Sequence, residues 1–90
     1  MIDVERTGDG DPMIFAVTVS DGRGETRHRV SMSRRTAARL ADARTPEECL
    51  EAAFRFLLDR EPKEAILATF DVTVITRYFP DFEERLPGYL

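Results

Sequence analysis

The spacing of the apolar residues changes at Ser33, and this change restricts the fold more than any other feature of the sequence. Before Ser33, apolar residues recur at every second position, as in strands that bury one face. After Ser33 they recur at every third or fourth position, which is typical of amphipathic helices. The sequence therefore predicts a single α+β domain over residues 1–90, with a β-meander over residues 1–32 and a helical part over residues 33–90.

Three segments before Ser33 have the alternation and the turn residues of an antiparallel meander. Ile2 and Val4 alternate with acids in a short first strand, and residues 12–20 are rich in strand-forming residues. Because both faces of this second strand are apolar, we expect it to be buried on both sides. A third alternating strand over residues 25–31 follows the tight turn in "DGRG". Short connections between consecutive strands predict antiparallel pairing.

Capping residues mark two helices after the meander. Ser33 can cap a short helix, and Thr45 can form a capping box with Glu48, with Pro46 at the first helical position. The second helix is expected to end before Pro62 and to supply most of the core from one apolar stripe. That stripe consists of Leu50, Ala53, Phe54, Leu57 and Leu58.

Two alternatives are open for residues 71–79. The spacing of Val72, Ile75 and Phe79 is that of one helical face, whereas the β-branched residues from Val72 to Ile75 favour a fourth strand. We favour the helix, and we expect another short helix from Pro62. The predicted architecture is a three-stranded antiparallel meander followed by three to four short helices that pack on one face of the sheet.

The net charge of −4 is unevenly distributed along the chain. Residues 22–44 contain seven arginines and two acids, a balance of +5 that leaves −9 for the rest of the chain. One interpretation is that this basic segment neutralises acidic helices beside it. The other is that it binds an anion or a nucleic acid. The candidate contacts for an anion or a nucleic acid are Arg27, Arg29, Arg34, Arg35 and Arg39.

The residues that usually carry catalysis are few and scattered. We interpret His28 as a packed residue of the third strand, and Cys49 as a packing thiol in the first turn of a helix. Asp9 and Asp11 lie in a turn that lacks the further ligands of a calcium loop. We therefore expect no enzyme activity, no cofactor and no metal site.

Composition suggests where such a chain resides. No apolar run approaches the roughly 18 residues of a membrane helix, and the first ten residues do not have the features of a secretory signal. A single cysteine cannot form an internal disulfide and suits a reducing compartment. We expect a cytoplasmic protein that has no contact with a membrane.

Residues 27–60 contain a basic strand, a short helix and then a longer, well-capped helix. In this order of elements the segment resembles the ribbon-helix-helix repressors. In that family, paired strands of two protomers place alternate side chains in the major groove of DNA. The resemblance implies that Arg27, Arg29 and Ser31 contact bases. It also implies a dimer joined through the third strand.

Aromatic residues are concentrated near the end of the chain. The stretch "FDVTVITRYFPDFEERL" is similar to the C-terminal part of small uncharacterised bacterial proteins, a resemblance that implies no activity. We name Tyr78, Phe82 and Tyr89 as candidate contacts with a protein partner or with a second copy of the chain. The sequence thus favours a non-catalytic interaction or regulatory module, with nucleic-acid binding through the arginine-rich strand as the alternative.

Overall fold

The meander strands pair in the order in which they occur in the chain, and a short fourth strand extends the sheet. In this computed structural model, which describes residues 1–90, the antiparallel strands are β1 (Ile2–Gly8), β2 (Met13–Asp21) and β3 (Gly24–Met32). Strand β4 (Thr69–Asp71) pairs with β3 in parallel, which gives the order β1-β2-β3-β4. The predicted α+β class and the antiparallel meander are confirmed, and the sheet has one strand more than predicted.

Four α-helices follow the meander. They are α1 (Arg34–Leu40), α2 (Pro46–Leu58), α3 (Ile75–Tyr78) and α4 (Phe82–Arg85). Single 3₁₀ turns connect or end them at Lys63–Ala65, Val72–Val74 and Leu86–Tyr89. The capping box predicted for the second helix is present, with Thr45 and Glu48 each accepting the other's backbone N–H. None of the helices has both the length and the apolar character needed to span a membrane.

The segment over residues 72–78 is helical, as we favoured, and the fourth strand lies just before it. The strand β4 ends at Asp71, whose side chain accepts a hydrogen bond from the Thr73 backbone N–H and so caps the turn that follows. That 3₁₀ turn leads directly into α3. The helical spacing therefore outweighs the strand propensity of the β-branched residues from Val72 to Ile75, none of which lies in a strand.

The helices cover one face of the sheet and leave the other open. On the covered face, alternate residues of the strands enter a core of 22 buried hydrophobic residues, among them Phe15, Val17 and Val30. On the open face, Ala16 is exposed and Ile14 is only partly buried. The expectation that β2 is buried on both sides was therefore wrong, because no element packs on its second face.

Helix α2 is buried on two sides. Its predicted stripe faces the core, although Leu58 is only partly buried. Phe56 lies outside that stripe and is nevertheless fully buried, since the C-terminal segment wraps over it. The rings of Phe79, Phe82 and Tyr89 lie 5.8, 5.1 and 5.9 Å from the Phe56 ring, each at a steep angle to it.

Candidate binding surfaces

An open cavity of about 380 Å³ lies between the end of α2, the segment that leads into β4, and α3. We call it the apolar groove, because nine of its ten lining residues are hydrophobic. Its floor consists of buried core residues, including Ile66, Phe70 and Ile75. Leu67 and Tyr78, which also line it, have exposed fractions of 46% and 66%. The groove therefore presents apolar surface to solvent directly above the core.

A buried histidine fixes one side of the apolar groove. The Nδ1 atom of His28 lies 2.7 Å from the backbone oxygen of Leu67, and its Nε2 atom lies 2.8 Å from the hydroxyl of Thr26. The ring also packs against Phe54. Because a carbonyl oxygen only accepts hydrogen bonds, Nδ1 carries a proton and donates it to Leu67. His28 thus holds the Leu67 segment against β3, in agreement with its predicted role as a packed residue.

Glu61 is the one charged residue that lines the apolar groove. It is partly buried, and its carboxylate makes no ion pair or hydrogen bond within the protein. Desolvation by burial raises the pKa of Glu61 above its ordinary value. A carboxylate without a partner beside an apolar surface would be stabilised by a cation brought by a ligand.

Lys63, in the segment between α2 and β4, is a buried lysine that no pattern in the sequence indicated. Lys63 has an exposed fraction of 5%, and its Nζ atom lies 2.6 Å from Glu64 and 2.9 Å from Asp21. The hydrogen bonds with Glu64 and then with Asp21 raise the pKa of Lys63. They also tie the β2–β3 turn to the segment after α2. Because Asp21 and Glu64 already pair with the ammonium group of Lys63, we interpret this charge cluster as structural and not as a ligand site.

The three predicted partner contacts have different environments. Tyr78 is well exposed and lines the apolar groove. Phe82 is fully buried against Phe56 and is therefore a core residue, which removes it from any binding surface. Tyr89 is partly buried, and its hydroxyl donates a hydrogen bond of 2.6 Å to Asp59. Of the three, only Tyr78 has the exposure that a partner contact needs.

The basic first turn of α1 is paired with acids of the β1–β2 turn. The Arg34 side chain donates hydrogen bonds of 2.7 and 2.9 Å to the backbone oxygen and the carboxylate of Asp9. Asp11 accepts a hydrogen bond of 3.0 Å from the Arg34 backbone N–H and so supplies the acid that the helix start lacks in sequence. The two aspartates that were considered for a calcium loop, Asp9 and Asp11, thus both accept hydrogen bonds from Arg34. No three metal-ligating side chains lie together in an arrangement that could hold an ion.

The other predicted basic contacts do not form one cluster. Arg39 is paired with Glu83, and Arg27 is paired with Glu25 at 2.9 Å. Arg29 and Arg35 are exposed and have no acidic partner. Arg29 points away from the core on the open sheet face, whereas Arg35 belongs to α1, on the helical side of the molecule. Internal charge balance therefore explains Arg27, Arg34 and Arg39, and it does not explain Arg29 and Arg35.

Strand β3 is paired along the whole of one edge and along part of the other. Residues 24–32 pair with β2 on one side, and residues 29–31 pair with β4 on the other. The ribbon-helix-helix resemblance implies a dimer in which this strand pairs with its copy. Such pairing needs a free edge, and β4 already occupies that edge of β3 at residues 29–31, where Arg29 and Ser31 would have to pair with the copy.

Cys49 lies at the start of α2 and is fully buried. Desolvation raises the pKa of its thiol to about 11, so the thiol is protonated at neutral pH. The position of the cysteine in the core agrees with the interpretation of a packing residue.

Comparisons with known proteins supply no family or homologous fold for this chain. A scan against protein-family models finds no match, and searches of curated proteins and of solved structures find no similar chain.

Proposed function

We propose that this protein is a non-catalytic interaction module that binds an apolar segment of a partner protein in the apolar groove. The observation that carries the proposal is the exposure of Leu67 and Tyr78 beside a cavity of about 380 Å³. A cavity of this size, lined mainly by apolar residues with one polar group, has the usual form of a ligand-binding site. The volume suits one or two large side chains of a ligand.

Glu61 defines the charge of the preferred ligand. A lysine, an arginine or a free amine beside the inserted apolar side chains would pair with this partly desolvated carboxylate. Because the pKa of Glu61 is raised by burial, a cation at this position also relieves part of the cost of keeping the carboxylate ionised. The preferred ligand is therefore apolar with one adjacent positive charge.

A phage-displayed library of random peptides, panned against the purified protein, tests this proposal. We expect enrichment of peptides that combine two or more large apolar residues with a lysine or arginine. Calorimetric titration with a synthetic enriched peptide should show binding that weakens at least about tenfold, equivalent to ~1.4 kcal/mol, in the double variant Leu67→Ser with Tyr78→Ser.

Two further variants separate the groove from the rest of the surface. Ala16→Ser changes an exposed apolar residue on the open sheet face and should leave the affinity unchanged. Glu61→Gln should weaken a lysine-containing peptide while sparing an analogue in which the lysine is replaced by leucine. Enriched peptides that bind the wild-type protein and the double variant equally would refute the proposed site.

Nucleic-acid binding is a second candidate function, favoured by the exposed Arg27 and Arg29 on the open face of the sheet, of which Arg29 has no acidic partner. Binding through these residues would depend on phosphate contacts and would weaken steeply as salt increases. Fluorescence anisotropy with mixed DNA and RNA, at low and moderate salt, tests it. Salt-sensitive binding that is lost in Arg27→Glu with Arg29→Glu would support this function, and no binding at low salt would exclude it.

A further inference from the structure

We propose that the free edge of β1 is a second interaction site, which takes an extended segment of another protein with basic residues at every second position and apolar residues between them. Strand β1 ends the sheet, since it pairs with β2 alone. This site lies at the opposite end of the sheet from β4 and the apolar groove. It is therefore independent of the proposed function.

The hydrogen-bond pattern shows which backbone groups of β1 are free. Met1 and Ser20 exchange two backbone hydrogen bonds, one of 2.6 Å from the Met1 nitrogen and one of 2.9 Å from the Ser20 nitrogen. In an antiparallel pair, hydrogen-bonded and non-bonded positions alternate. The pairs Ile2–Val19 and Val4–Val17 are therefore non-bonded. The N–H and C=O groups of Ile2 and Val4 thus point away from β2, toward the free edge.

These groups are unsatisfied within the protein. No other strand or side chain forms a hydrogen bond with the backbone of Ile2 or Val4. An extended segment placed beside β1 would pair with them and continue the sheet, which is the usual mode of strand addition. Backbone pairing supplies affinity in this mode, and the side chains on the two faces of β1 decide which sequence is preferred.

The two faces of β1 favour different side chains in an added strand. Asp3 and Glu5 are exposed on the open face of the sheet, and neither has an ion-pair partner. Basic residues of an added strand would lie beside them. On the other face, Ile2 and Val4 are only partly buried at the margin of the core, and apolar residues of the added strand would cover them. The alternation of β1 itself therefore specifies a basic and apolar alternation in the ligand.

The same charges disfavour a second copy of this chain at the β1 edge. If two β1 strands paired in antiparallel fashion, Asp3 and Glu5 of both copies would lie on one face of adjacent strands. Like charges on neighbouring strands are destabilising, and charged edge residues are a common protection against self-pairing. A basic segment removes this repulsion, which is why we assign the site to another protein.

Titration with a capped peptide of alternating lysine and valine tests the proposal, with an alternating glutamate and valine peptide of equal length as the control. We expect the basic peptide alone to bind. In the complex, amide hydrogen exchange of Ile2 and Val4 should slow, because only a strand at this edge makes hydrogen bonds with these groups. Basic-peptide binding without this protection, equal binding of the acidic peptide, or no binding would overturn the proposal.

A pair of matched variants tests the charge preference. Glu5 and Glu84 are both exposed glutamates without an ion-pair partner, and Glu84 lies on α4, away from β1. Glu5→Lys should weaken the basic peptide about tenfold and allow the acidic one to bind, while Glu84→Lys should change neither. The double variant Leu67→Ser with Tyr78→Ser should bind the basic peptide normally, so failure here is separable from failure of the apolar groove. Equal effects of Glu5→Lys and Glu84→Lys would show nonspecific attraction and would contradict a site at β1.

Discussion

Asp71 connects the fourth strand to the third and also starts the turn after it. One carboxylate oxygen accepts a hydrogen bond of 2.6 Å from the Ser31 hydroxyl, and the other accepts bonds from the backbone and the hydroxyl of Thr73 at 3.1 and 2.6 Å. Burial alone would raise the pKa of Asp71, but these hydrogen bonds favour the charged form and lower it overall. A single side chain thus fixes the change from strand to helical structure.

We predict that Asp71→Asn lowers the free energy of unfolding by about 1 kcal/mol at neutral pH. Because the folded pKa lies below the ordinary value of 3.8, the stabilisation is complete above that value and is lost as pH falls through the folded pKa. Urea unfolding at a series of pH values measures the difference. Asp3→Asn, at an exposed position without partners, is the control and should show no change. A deficit that is independent of pH would contradict the role of the carboxylate.

The arginines at the start of α1 are partly neutralised by residues that are distant in the sequence. In sequence they lie at the unfavourable, positive end of the helix dipole, and no acid occupies its first turn. In the structure, Asp9 and Asp11 supply the missing negative charge from a turn more than twenty residues earlier. Capping by Ser33 could be predicted because it is local, whereas pairing across the fold depends on how the elements pack.

Helix α2 is the central element of the fold, since it packs on the sheet with one side and receives the C-terminal segment on another. Its core-facing stripe and its capping box were predictable from periodicity and local chemistry. The burial of Phe56 was not, because the single-stripe interpretation assumes solvent on the opposite side. The aromatic residues near the chain's end were a signal for this second packing layer, although they were interpreted as candidate partner contacts.

We predict that Phe56→Ala lowers the free energy of unfolding by about 3–5 kcal/mol, as expected for a fully buried aromatic residue. The loss reflects the cavity left among Phe79, Phe82 and Tyr89, together with the loss of the Arg60 guanidinium contact 3.6 Å from the ring centre. Chemical denaturation measures the effect. Arg55→Ala, at the exposed neighbouring position on α2, should cost at most about 0.5 kcal/mol. Similar values for the two variants would show that the C-terminal segment does not bury Phe56.

In the whole molecule, the two proposed binding sites lie at opposite ends of one sheet. The apolar groove adjoins β4, the free edge belongs to β1, and the exposed Arg27 and Arg29 lie on the open face between them. The meander and its exposed arginines were predictable from alternation. The groove was not, because it depends on how the segment after α2 folds back to place β4 and α3 beside the end of that helix. Tyr78 was predicted as a candidate contact, whereas no sequence pattern indicated Leu67 or Glu61.

Chemical-shift mapping of an enriched apolar peptide on the isotope-labelled protein tests the proposed function most directly. We predict that the largest amide shifts lie along the apolar groove, at Leu57, Ile66, Leu67, Val74 and Tyr78, and that the strand residues of the open face do not change. Shifts concentrated at Arg27 and Arg29, or shifts confined to the β1 edge, would contradict the assignment of the groove as the partner site.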